Sequence, residues 1–139
     1  MGTWGHRAFE NDVASDWAYD LEDTSDLSLV ESTFADLEGV GDDSLDQDVG
    51  CNALAACEVL ARCLGNAGYR DTYTEKVDAW VASHSPRPSP ELLKRASAVI
   101  QRVLGNHSEL RDVWEESDEG EQWREAVEDL GARLAGSSS

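Results

Sequence analysis

Residues 47–65, QDVGCNALAACEVLARCLG, are apolar almost all the way round a helix. Many of them are alanine or cysteine, whose small side chains let neighbouring helices approach closely. A helix that is hydrophobic on every side lies in the interior of a protein. We therefore expect a central apolar helix at about 47–65, ended by the Gly-Asn-Ala-Gly run that begins at Gly65.

On both sides of this stretch, apolar residues recur every three or four positions, which is the period of amphipathic helices. The patterns predict helices at about 11–22 and 26–38, one from Thr72 or Thr74, one from Pro90 to about 104, a short one after Ser108, and a last one at about 119–135. No strand is indicated. We expect an all-α protein, a single compact domain of about six to seven helices over residues 1–135, with a disordered tail at 136–139.

Short polar residues mark several of the predicted helix starts. Asn11, Ser89 and Ser108 each precede an apolar pattern, and their side chains can accept a hydrogen bond from an unpaired backbone N–H of the first turn. We expect all three to be N-caps.

The charge is strongly negative and unevenly distributed. The chain has 29 acidic and 11 basic residues, a formal net charge of −18. Residues 1–50 hold 14 acidic residues against Arg7 alone, a balance of −13, which leaves −5 for the remaining residues. Such a field repels nucleic acid and anionic membranes and attracts basic proteins. We expect no binding to nucleic acid or membrane. A surface that only keeps the protein soluble would have the same composition.

Targeting signals are absent from the sequence. No stretch approaches the roughly 18 apolar residues of a membrane-spanning helix, and residues 1–20 lack the basic region and apolar core of a secretory signal. The expected location is the cytoplasm. The sequence does not indicate an oligomeric state.

Metal and cofactor motifs are also absent. Cys51, Cys57 and Cys63 follow one another at intervals of six on one predicted helix, roughly 9 Å apart along its axis, too far for a disulfide. We expect them to be small buried side chains. The three histidines lie far apart with no partner at ligand spacing, so we expect no metal and no cofactor.

One acidic residue is a candidate for chemistry. Glu58 stands in the apolar helix, with Arg62 four residues later. A buried carboxylate either forms an ion pair that fixes helix packing or lines a functional pocket. In the first case it pairs with Arg62 or accepts bonds from tryptophan N–H groups. The sequence carries no catalytic motif, since Ser108 beside His107 is explained as an N-cap, and we expect a non-catalytic protein.

Three stretches resemble a known family. They are Thr3-Trp4-Gly5 to Phe9-Glu10-Asn11-Asp12 with Ala14, Asp16-Trp17 and Leu21; Ala53 to Ala61; and Ser108-Glu109-Leu110 to Trp114-Glu115-Glu116, followed by Trp123 and Leu130. Together they are similar to a bacterial family known as domain of unknown function 4259. The resemblance spans nearly the whole chain and implies a small helical domain, with no activity attached. Cys57 stands where the family pattern has a smaller apolar residue.

The family-like positions provide the candidate binding residues: Trp4, Phe9, Asn11, Asp12, Asp16, Trp17, Glu58, Glu109 and Trp114. In one interpretation the aromatic rings wall a cleft and the acidic groups meet a cationic or hydroxyl-rich ligand. In the other, Trp4 and Phe9 hold the N-terminus against the helices. Asn11 and Ser108 then serve as helix caps, and Glu109 belongs to a first helical turn.

Two classes of function follow from these alternatives. The first is a non-catalytic interaction module, similar in role to an inhibitor or immunity protein, whose acidic N-terminal third binds a basic protein. The second is a small-ligand-binding or hydrolytic domain with a pocket around Glu58 and the tryptophans.

Overall fold

Helices make up most of the structure. The computed structural model describes residues 12–40, 43–65, 75–84, 87–105 and 107–136. Within these ranges there are seven helices: α1 Asp12–Glu22, α2 Ser28–Glu38, α3 Gln47–Cys63, α4 Glu75–His84, α5 Pro90–Leu104, α6 Glu109–Glu115 and α7 Gly120–Gly136. The described residues form no strand, so the expected all-α compact domain is confirmed.

The helix α3 contacts each of the other six helices. Every residue from Gly50 to Arg62 is buried except Asn52. Gly50 permits the close approach of α6, because a Cβ atom at this position would lie only 3.1 Å from Cδ2 of Leu110. On the same side of α3, the fully buried Cys57 packs against α5, with its Sγ 3.8 Å from the carbonyl oxygen of Ala96. Small residues therefore let α3 pack closely with its neighbours.

Side chains cap three of the helices. The Oγ of Ser89 accepts from the amide of Leu92 at 3.1 Å, and the Oγ of Ser108 accepts from the amide of Arg111 at 3.3 Å. Both caps were predicted. Asp46 caps α3 by accepting from the amide of Asp48 at 2.9 Å. The predicted cap Asn11 lies outside the described residues.

A short backbone connection joins the segment before α3 to the segment before α6. The amide of Leu45 donates to the carbonyl oxygen of His107 at 2.6 Å, and the amide of Glu109 donates to that of Leu45 at 2.9 Å. Leu45 and Ser108 are almost completely buried at this bridge. The caps of α3 and α6 are consequently held next to each other.

Tryptophan N–H groups join α1 and the turn that follows it to other helices. Trp17 of α1 donates to the Thr33 hydroxyl of α2 at 2.9 Å, and Trp80 of α4 donates to the carbonyl oxygen of Thr24 at 2.9 Å. Both indoles are 4% exposed, so their N–H groups need these partners. In the described part of the chain, no helix has the length and apolarity needed to cross a membrane.

Candidate functional site

Glu58 lies at the centre of a buried cluster of charged side chains. Its side chain is 3% exposed, and that of Arg62 is 2% exposed. Nη1 of Arg62 donates to Oε1 of Glu58, as the spacing of four residues predicts. Nε of Arg62 donates to Oδ1 of Asp78 on α4 at 2.8 Å. The predicted ion pair thus extends from α3 to α4.

A second arginine reaches the same carboxylate from α7. Arg133 donates to Oε1 of Glu58 from Nη1 at 3.0 Å and to Oε2 from Nη2 at 2.9 Å. This is the two-pronged geometry that suits a guanidinium and a carboxylate. Its Nε donates to Asp129 at 2.8 Å. Both oxygens of Glu58 therefore have arginine partners.

We call these five residues the Glu58 cluster: Asp78, Arg62, Glu58, Arg133 and Asp129. Burial opposes the charged form of Arg133, but the hydrogen bonds and charges of Glu58 and Asp129 outweigh it and raise the pKa of Arg133. The arginine thus keeps its charge in a half-buried position. The cluster joins α3, α4 and α7, and both carboxylate oxygens of Glu58 are engaged by arginines.

The tryptophans and Glu109 make contacts elsewhere. Trp114 is half-buried and stacks on Trp123 at 6.3 Å between ring centroids. Glu109 is exposed in the first turn of α6. Among the described residues, no hydrogen bond or ion pair joins Trp17, Trp114 or Glu109 to Glu58. These candidates are therefore not joined to Glu58 by any described hydrogen bond or ion pair.

Four candidates can be placed only in part or not at all. Trp4, Phe9 and Asn11 lie outside the described residues, and Asp12 is described only as the first residue of α1. Their assignment to a pocket or to a packed N-terminus stays a prediction.

A surface groove of about 480 Å³ runs between α5 and α7. Ile100 and Leu104 contribute apolar side chains, whereas Gln101, Arg124 and Glu128 contribute polar ones. Gly131 brings the two helices together, since a Cβ there would lie 3.3 Å from Cγ2 of Ile100. Glu58 is not among the lining residues, so this groove is distinct from the Glu58 cluster.

The three cysteines are free thiols on α3. Burial, with smaller effects of Asp48 and Asp46, raises the pKa of Cys51 to about 12. Burial likewise raises the pKa of Cys63 to about 12 and that of Cys57 well above its ordinary value. The thiolate is the reactive and metal-binding form, so these thiols are poor nucleophiles. Within the described ranges, no group of three or more potential ligands is placed to hold a metal ion.

A group of exposed acidic side chains lies on α1 and in the turn after it. We call this surface the α1 face, and its exposed members are Asp16, Tyr19, Asp20, Glu22 and Asp23. Residues 12–40 contain nine acidic residues and no lysine, arginine or histidine. In the described structure, no ion pair reaches the four carboxylates of the α1 face.

Comparison with family models gives one match. The model of DUF4259, a domain of unknown function, matches residues 2–126, which is most of the chain. The chain belongs to the DUF4259 family. No curated protein and no solved structure matches it.

The DUF4259 match ends within α7, before Asp129 and Arg133. Two of the five members of the Glu58 cluster thus lie beyond the matched range. The prediction from sequence found the pair of Glu58 and Arg62 but missed Asp78 and Arg133. Helical spacing reveals a partner only on the same helix. A sequence signal for Arg133 was its spacing of three residues from Leu130, a member of the apolar stripe of α7.

Proposed function

We propose that this DUF4259 protein is a non-catalytic interaction module that binds a basic protein, in the manner of an inhibitor or immunity protein. The α1 face carries the proposal. It gathers four exposed carboxylates on one helix and its following turn, and no base occurs anywhere in residues 12–40. A negative field of this kind accelerates encounter with a positively charged partner.

The end of α1 supports a role beyond solubility. A helix C-terminus carries partial negative charge and favours lysine or arginine in its last turn. The last turn of α1 has no basic residue; Asp20 and Glu22 lie there instead, and Asp23 follows directly after the helix. Each such acid costs a few tenths of a kcal/mol. A basic partner that docks at this end of the helix would offset that repulsion.

The geometry of Glu58 favours this function over a pocket centred on Glu58. A pocket acid needs an oxygen that a ligand can reach, whereas both oxygens of Glu58 bind arginines and the side chain is 3% exposed. The acidic groups that a partner can reach are on the surface. A cytoplasmic location, expected from the sequence, is part of the same proposal.

Binding of a synthetic basic peptide with equal numbers of lysines and arginines tests the proposal. Titration at about 0.01 M and about 0.15 M salt brackets the range over which screening strengthens. We expect binding that weakens at the higher salt. Replacing Asp16, Asp20 and Asp23 together by asparagine should lower the association rate about tenfold or more at low salt.

A matched control separates a docking surface from general acidity. Glu121, Glu125 and Glu128 are exposed on α7, and their replacement by glutamine removes the same total charge. We expect this variant to keep most of the peptide binding. Equal losses in the two variants would mean that overall negative charge, and not the α1 face, binds the peptide. That result, or absence of binding at both salt concentrations, would overturn the proposal.

A further inference from the structure

Tyr19 is unusual among the described aromatic side chains because it is exposed. Its exposed fraction is 54%, whereas Trp17, Phe34, Trp80 and Trp123 are at most 4% exposed. It lies on the α1 face, where Asp16 precedes it by three residues and Asp23 follows it by four. Residues three apart on a helix share one side of it, so Asp16 lies beside Tyr19, and Asp23 lies in the turn that directly follows α1. An accessible ring is therefore bordered by carboxylates.

A cation already lies on this ring. Nζ of Lys76, on α4, is 4.4 Å from the centroid of the Tyr19 ring. This is within the range of a cation–π interaction. The contact shows that the ring accepts a positive charge in this environment. By contrast, Phe34 faces Arg95 at 5.9 Å but is completely buried, so no cation from another molecule can reach it.

From these contacts we infer that Tyr19 is the binding site for an arginine side chain of the basic partner. The arginine takes the place of Lys76 on the ring. This inference rests on the proposed function and specifies its partner. Tyrosine and arginine are enriched among the residues that dominate binding energy at interfaces. The charges are complementary, since the ring stands among four exposed carboxylates.

Arginine fits this binding site better than lysine. A guanidinium is planar and weakly hydrated, so it can stack on an aromatic ring while its edge donates to a neighbouring carboxylate. Asp16 stands one helical turn before Tyr19 and Asp23 lies in the turn after α1, and their exposed carboxylates are the candidate acceptors. An ammonium group is a compact and strongly hydrated charge, so it gains less from the combination of ring and carboxylates.

Lys76 then competes with the partner's arginine for the Tyr19 ring. Its removal frees the ring and adds to the negative charge near it. The chain offers a matched control, because its only other lysine, Lys94, is exposed on α5. Replacing either lysine by alanine changes the total charge equally, but only Lys76 contacts Tyr19.

Two peptides of equal length and charge, one with arginines and one with lysines, test the inference on the full chain. We expect the arginine peptide to bind about two- to fivefold more tightly, the size of an exposed cation–π contact. Tyr19→Leu should abolish the preference, and Tyr19→Phe should keep it. Since Tyr19 is exposed, both variants should fold, which circular dichroism checks.

The lysine variants give an independent measurement. Lys76→Ala should bind the arginine peptide about two- to fivefold more tightly than Lys94→Ala does. Equal binding by these two variants, or an arginine preference that survives in Tyr19→Leu, would overturn the role of Tyr19. If the two peptides bind the wild-type protein equally well and with salt dependence, the inference fails while the proposed function stands. If neither peptide binds, both fail.

Discussion

Carboxylates occupy two opposite environments in this protein. In the Glu58 cluster, one buried carboxylate is held by two arginines from α3 and α7. On the α1 face, four exposed carboxylates have no ion-pair partner among the described residues. A buried charge must be paired for the protein to fold, whereas an exposed one is solvated by water and stays available to another molecule. We therefore expect Glu58 to serve stability, and the proposed function rests on the α1 face.

The largest expected difference between the two regions is in the effect of removing one carboxylate charge. Glu58→Gln leaves the positive charges of Arg62 and Arg133 without their shared partner, and we expect a loss of about 3 to 5 kcal/mol in the free energy of unfolding. Glu22→Gln makes the same change on the α1 face, at the C-terminal end of a helix, and should change it by less than about 0.5 kcal/mol. Urea unfolding measures both. Similar losses would remove the distinction between the regions.

A smaller difference is expected within α7. The side chain of Arg133 is 13% exposed and binds Glu58 in two-pronged fashion, whereas Arg124 pairs with Glu115 on the surface at 39% exposure. Arg133→Met should cost about 1.5 to 3 kcal/mol, the range for hydrogen bonds to charged groups. Arg124→Met should cost less than about 1 kcal/mol, as for other surface ion pairs. If thermal unfolding shows a larger loss of stability for Arg124→Met than for Arg133→Met, the pairing of Arg133 with Glu58 stabilises the protein no more than a surface ion pair does.

A third effect is absent at neutral pH and appears in alkali. Burial raises the pKa of Cys51 and Cys63 from 9.0 to about 12. In the unfolded chain these thiols ionise first, so stability is full below about pH 9 and falls as the pH rises toward about 12. Urea midpoints measured from pH 8 to 10 should decrease. A variant with alanine at Cys51, Cys57 and Cys63 should lose most of this pH dependence. If its urea midpoints fall with pH as steeply as those of the wild type, groups outside α3 cause the dependence.

Much of the fold could be predicted because its determinants are local. The apolar pattern of 47–65 predicted α3 to within two residues at its end, where Gly65 adopts the left-handed conformation with φ of 83°. The caps Ser89 and Ser108 fixed the starts of α5 and α6. Each of these signals needs only neighbouring residues.

The contacts of the Glu58 cluster could be predicted only in part. The pair of Glu58 and Arg62 follows from spacing on one helix, but Arg133 and Glu58 are 75 positions apart in the sequence. Their meeting depends on how α7 packs against α3, which no local pattern contains. Tyr19 was missed for a related reason, since its exposure and its contact with Lys76 arise from the packing of α1 beside α4.

The order of synthesis gives the position of α3 a further importance. As the chain leaves the ribosome, α1 and α2 are available at once to cover one side of α3. The side formed by Gly50 and Cys57 must wait for Ala96 and Leu110, and the bridge at Leu45 must wait for residues 107–109. An interrupted chain would therefore carry an uncovered apolar helix, the kind of surface on which aggregation begins and which chaperones bind.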